Sequence, residues 1–133
     1  MALNPVLNFN GDAKEAFEFY AATFCGEIAF MMNWGTSPMA AQVPSVWHDK
    51  ILIGRIVIAG RELVGGDAPP GGYHKPQGIS LQYEPENIDA AQRIFAALAD
   101  GGTVTLPLQQ TFWSPGFGMV TDRFGIPWEI SCE

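Results

Sequence analysis

At 133 residues and 47% hydrophobic content the chain can bury a core of its own, and it reads as one domain or as one domain built of two modules. Fourteen Asp and Glu against seven Lys and Arg give a formal charge of −7 with no basic cluster, so nucleic acid and anionic membranes are excluded as expected partners. No apolar run reaches the roughly 18 to 20 residues of a membrane span, and no basic segment precedes an apolar signal core, so a cytoplasmic location is expected.

The first element is a strand beginning at Leu7, where apolar and polar residues alternate. Asp12 stands where a helix cap belongs, and Glu15 follows at capping-box spacing. Ala13, Ala16, Phe17, Tyr20 and Phe24 recur on one helical face, and Gly26 is the expected stop. Extended stretches follow at 27–32, 51–58 and 62–66, the last two joined by a hairpin at Gly60. Between them, residues 33–49 carry Trp34, Met39, Pro44, Trp47 and His48 without either period. An irregular segment of that length in a small domain suits a lid, a binding loop or a subunit contact. Residues 67–77, with three prolines and His74, read as a linker. Gly65-Gly66 and Gly71-Gly72 read as turn material, not a phosphate cradle.

The order then repeats. A strand starts at Leu81, Asn87 caps a helix, and Ile88, Ala91, Ile94, Phe95 and Leu98 form its apolar stripe before Gly101 ends it. Extended stretches at 103–109, 117–122 and 126–132 follow, with a hairpin at Gly125. Residues 7–66 and 81–131 are therefore two copies of βαβββ, which predicts one domain made of a module 1–68 and a module 77–133.

Alternation sorts the strand residues by face. Leu7, Phe9, Ile79, Leu81, Tyr83, Val104, Leu106, Leu108, Trp128 and Ile130 are expected beneath the helices. The other face collects Asn4, Val6, Asn8, Val64, Gly78, Ser80, Gln82, Glu129 and Ser131, a polar wall with one carboxylate. Glu129 reads either as a solvated acid on an edge strand or as a general base or ligand on that wall. A metal needs three or four converging donors, and neither His48 nor His74 has ligand spacing. Cys25 and Cys132 read as reduced thiols. Nucleophile elbow, phosphate loop, dinucleotide fingerprint and paired-cysteine zinc spacing are all absent.

The stretches LNFNGDAKEAFEFYAATFCGEI and GGTVTLPLQQTFWSPGFGMVTDRFGIPWEI closely resemble the PhnB-like branch of the vicinal oxygen chelate superfamily, the glyoxalase, bleomycin-resistance and extradiol-dioxygenase group. The likeness spans nearly the whole chain and is most specific from Pro107 through DRFGIPW. It implies an α+β fold of two βαβββ modules forming a curved, mostly antiparallel sheet around a cup, commonly as a homodimer. Members of the branch often carry the label 3-demethylubiquinone-9 3-methyltransferase-like, but no methyl-donor binding motif is present here. The superfamily's metal ligands match Asn4, Val64, Gly78 and Glu129, of which only Glu129 is a competent ligand, and Ile53 of KILIGR stands where the branch often has a His. No cofactor is expected, and the residues disfavour the divalent metal that the resemblance allows.

The leading expectation is a small-molecule-binding protein without a complete metal site. Asn8, Ser80 and Gln82 would supply hydrogen bonds, Glu129 would accept from a cationic or hydroxylated group, and Trp34, Trp47 and Trp113 would cover the ligand from loops. The alternative is a lyase, isomerase or oxygenase, metal-dependent or metal-free, with Glu129 as the catalytic residue. The expected partners are a small ligand and a second copy of the chain.

Overall fold

A computed structural model describes residues 1–133. The chain forms two compact units, Met1–His74 and Lys75–Glu133, each with the strand-helix-three-strand order that the repeat predicts. The first holds β1 (Val6–Phe9), α1 (Ala13–Phe24), β2 (Glu27–Asn33), β3 (Ile51–Ile58) and β4 (Arg61–Asp67). The second holds β5 (Leu81–Tyr83), α2 (Ile88–Ala99), β6 (Thr103–Gln109), β7 (Gly116–Thr121) and β8 (Pro127–Cys132). Each unit has one four-stranded mixed sheet, ordered β1-β4-β3-β2 in the first and β5-β8-β7-β6 in the second. In both, the first strand runs parallel to the last and the other pairings are antiparallel.

In the first unit the helical stripe Ala13, Ala16, Phe17, Tyr20 and Phe24 is buried, together with Leu7, Phe9, Ile56 and Leu63 of the sheet. Phe9 meets Phe17 edge to face, centroids 5.7 Å apart. Gly54 permits this packing, because a Cβ there would lie 2.7 Å from a Phe17 ring carbon. The same device recurs in the second unit, where a Cβ on Gly118 would lie 2.7 Å from the Phe95 ring. There the stripe Ala91, Ile94, Phe95 and Leu98 is buried with Trp128 and Ile130.

Several local expectations are corrected. Asp12 makes no side-chain cap; the carboxylate that does the work comes from Asp67, at the end of β4 and not in a linker. Asp67 Oδ1 accepts from Gly11 N at 2.8 Å and Ala13 N at 3.0 Å, and Oδ2 accepts from Ile51 N at 2.9 Å. The helix ends on Cys25, which takes the left-handed conformation at φ 53°, while Gly26 is needed for space: its Cβ would fall 2.7 Å from Val57 O. Gly65 and Gly66 are strand residues, not a turn, because a Cβ at either would meet the carbonyl oxygen of Leu7 or Leu52 at 2.3 or 2.4 Å.

In the second unit Asn87 caps α2 as expected, its Oδ1 accepting from Ala90 N at 2.8 Å. Ile79 and Val104 do not pack beneath a helix. Ile79 precedes β5 and is 75% exposed, and Val104, on the edge strand β6, is 42% exposed. Asp122 leaves the strand to organise the loop before β8: Oδ1 accepts from Phe124 N and Ile126 N, and Oδ2 accepts from Trp128 Nε1 at 2.9 Å.

Candidate functional site

In each sheet the face away from the helix is the place for a ligand, because the helix fills the other. In the first unit that face bears a concavity of about 480 Å³ lined by Val6, Asn8, Trp34, Leu52, Ile53, Val64, Gly65, Gly66 and the 67–72 segment. Its floor is low because Gly66, two residues after Val64 on the same face of β4, lacks a side chain. Asn8 is exposed in the wall, opposite Gly66 in the parallel β1/β4 register. Trp34 is buried, its ring fixed by a hydrogen bond from Nε1 to Asp67 O at 3.0 Å. Trp47 donates from Nε1 to Ala68 O at 3.1 Å, which pins the neighbouring segment, but its ring is not part of the lining.

These tryptophans belong to the irregular stretch 33–49, which the fold makes compact. Trp34 N donates to Lys50 O and Gly35 N to His48 O, closing its base, and two 3₁₀ turns, Ala40–Gln42 and Ser45–Trp47, fill it. His48 is engaged through Nε2 with Ala40 O at 2.9 Å, and His74 is exposed. Farther along the same open sheet face, Arg55 pairs with Glu62.

A second hollow, about 560 Å³, surrounds the start of α1 and is lined by Asp12, Lys14, Glu15, Glu18, Asp49 and Lys50. Burial raises the Asp12 pKa, and the charges of Asp67 and Glu15 add to the effect against opposing backbone hydrogen bonds. The Asp67 carboxylate is already satisfied by three backbone donors, and the hollow around it mixes the acids Asp12, Glu15, Glu18 and Asp49 with Lys14 and Lys50.

In the second unit the parallel β5/β8 register sets Gln82 beside Glu129 on the open face, and Gln82 Nε2 donates to Glu129 Oε1 at 3.0 Å. Glu129 is half-buried and sits opposite Met119 of β7. Phe117, two residues earlier on β7, shares that face and is 9% exposed. Sequence reading missed Phe117, whose side follows once Gly118 is seen to face the Phe95 ring of α2, so that its neighbours on β7 face away. The Trp113 ring stands on Phe117 at 5.2 Å between centroids, and Phe112 stands on Trp113 at 4.7 Å. The loop that presents them is anchored by buried Ser114, whose Oγ reaches Gly116 O and Cys132 O and accepts from Gly116 N. Ser80 lies just before β5, exposed, two residues from Gln82.

The positions that match superfamily metal ligands do not fit a metal. Asn4 and Val64 offer the first unit one amide, Gly78 and Glu129 offer the second one carboxylate, and Ile53 offers nothing. No three His, Cys, Asp or Glu side chains converge to hold an ion. Cys25 and Cys132 are free thiols, one exposed and one buried.

Comparison with known proteins agrees with this architecture. The family model described as 3-demethylubiquinone-9 3-methyltransferase matches residues 1–131. Protein YjdN of Escherichia coli strain K12 is 33% identical over 139 residues, covering 98% of this chain and 95% of its own. The crystal structure of protein PA1353 from Pseudomonas aeruginosa is 39% identical, covers 100% of this chain and 98% of its own, and superposes with a TM-score of 0.90. The fold alone is shared with a glyoxylase/bleomycin resistance protein/dioxygenase domain from Frankia sp. EAN1pec, at 14% identity and a TM-score of 0.67 over 99% and 96% of the two chains.

Proposed function

We propose a small-molecule-binding function for this chain, which belongs to the 3-demethylubiquinone-9 3-methyltransferase family, the PhnB-like branch of the vicinal oxygen chelate superfamily. The observation that carries this reading is the concavity on the open face of the first sheet. Its volume of about 480 Å³ falls in the range of ordinary ligand sites, roughly 300–1,000 Å³, and its walls are mainly apolar with Asn8 as a directional polar group. Trp34 is held rigid, so a ligand packing against it loses little to side-chain ordering. On the second sheet, Ser80, Gln82 and Glu129 offer polar contacts and Trp113 an aromatic one. The proposed working form is a cytoplasmic homodimer that uses no metal. No helix is long and apolar enough to cross a membrane.

A thermal-shift screen of metabolite-sized organic molecules, followed by tryptophan fluorescence titration, tests the reading. A true ligand at a hundred times its Kd stabilises the protein by about 2.7 kcal/mol. Val64→Trp fills the concavity and should abolish that stabilisation while the far-ultraviolet circular dichroism stays unchanged. A ligand that binds the filled variant as tightly as the parent would refute the assignment. Light scattering on a sizing column checks the dimer, which requires twice the 14.5 kDa chain mass.

A further inference from the structure

The geometry of the second unit points to an organic cation, an ammonium group on a small, partly apolar molecule, as the ligand class for its open sheet face. The inference rests on the small-molecule reading above and adds the sign of the ligand's charge. Glu129 is its centre. Its one hydrogen-bond partner is the neutral Gln82 amide, which occupies Oε1 and orients the carboxylate without neutralising it. The Arg55–Glu62 ion pair lies elsewhere, on the first unit. Residues 103–121, which span β6, β7 and the loop between them, contain no charged side chain, so nothing on these strands offsets the negative charge.

The surroundings suit a cation in a second, independent way. Phe117 is the diagonal neighbour of Glu129 across β7 and β8, since Met119 pairs with Glu129 and Phe117 with Ser131. Such diagonal positions are about 7–8 Å apart, within reach of long and aromatic side chains. Trp113 rests on Phe117 and is 55% exposed, and Phe112 on the same loop is 97% exposed. Aromatic faces carry the negative end of the ring quadrupole, so carboxylate and rings attract an ammonium together and repel a carboxylate or phosphate together. The anchored Ser114 turn holds the aromatic loop in place before any ligand arrives. A guanidinium fork prefers both carboxylate oxygens, and here Gln82 engages one of them. A single-point ammonium therefore matches better.

Calorimetric titration with choline, benzyltrimethylammonium and the uncharged choline isostere 3,3-dimethylbutan-1-ol tests the proposal on the intact protein. At least a tenfold preference for a cation over the isostere is expected. It should weaken as salt is raised and collapse in Glu129→Gln, which keeps volume and a hydrogen-bonding oxygen. Trp113→Leu should weaken cation binding several-fold and leave the fold intact by circular dichroism. Equal binding of cation and isostere, or silence toward both cations, overturns the charge assignment. The screen on the first-unit concavity is read separately, so a ligand found there keeps the small-molecule reading standing even when the cation fails.

Discussion

Asp67→Ala should be among the most damaging single substitutions in the first unit. The side chain is 3% exposed, and its two oxygens take the backbone N–H groups of Gly11, Ala13 and Ile51, which start α1 and β3. Deleting the carboxylate leaves three donors without an acceptor, each worth about 1–3 kcal/mol when buried. Gly11 is only half-buried and water will reach it, so the net loss is expected at about 3–5 kcal/mol, a large share of the roughly 5–15 kcal/mol typical of a whole domain. Asp67→Asn keeps one acceptor but turns an amide donor toward another N–H, so about 2–3 kcal/mol is expected there. Urea denaturation followed by circular dichroism and by tryptophan fluorescence measures both, since Trp34 hangs from the Asp67 carbonyl. An alanine variant within 1 kcal/mol of the parent would refute the claim that this carboxylate organises the unit.

Gly118→Ala pushes a methyl into the Phe95 ring, with an expected loss of about 1–3 kcal/mol that Phe95→Leu should partly relieve; a double-mutant denaturation cycle checks this. The β3–β4 hairpin turns through Ala59 and Gly60, both at positive φ, so Ala59→Asn should stabilise by about 0.5–1 kcal/mol, seen as a higher urea midpoint at unchanged slope. Asp12 titrates above its ordinary value of 3.8, chiefly through burial. A carboxyl raised by folding contributes stability below its unfolded pKa and loses that contribution as pH rises through the folded pKa. Asp12→Asn should therefore be more stable than the parent at pH 7, and the gain should shrink toward pH 4; denaturation midpoints across that range would contradict this if the gain grew instead.

Sequence periodicity reveals the helices and most strands because their signals are local. The stripe on α2 and its Asn87 cap need only neighbours a few residues away. Asp67 could not be recognised in that way, since its partners lie 54 and 56 residues earlier in the chain while Asp12 occupies the position that a local rule prefers. The concavity was hidden for a related reason: Gly65 and Gly66 resemble a turn until β1 brings the Leu7 carbonyl against the first and β3 brings the Leu52 carbonyl against the second. Strand alternation did place Gln82 and Glu129 on one face, and the β5/β8 register makes them partners. Phe117 escaped notice because its side depends on where α2 crosses β7, and a single sequence does not fix that crossing.

In both units the last strand to be made is an interior one: β4 enters between β1 and β3, and β8 between β5 and β7. During translation the opening strand, β1 or β5, must wait unpaired while the helix and the antiparallel pair β2–β3 or β6–β7 emerge from the ribosome. Each unit can then close only in one late step, when the final strand slots into the middle. A stalled nascent chain lacking those last few residues should be protease-sensitive throughout the unit, not merely frayed at one edge.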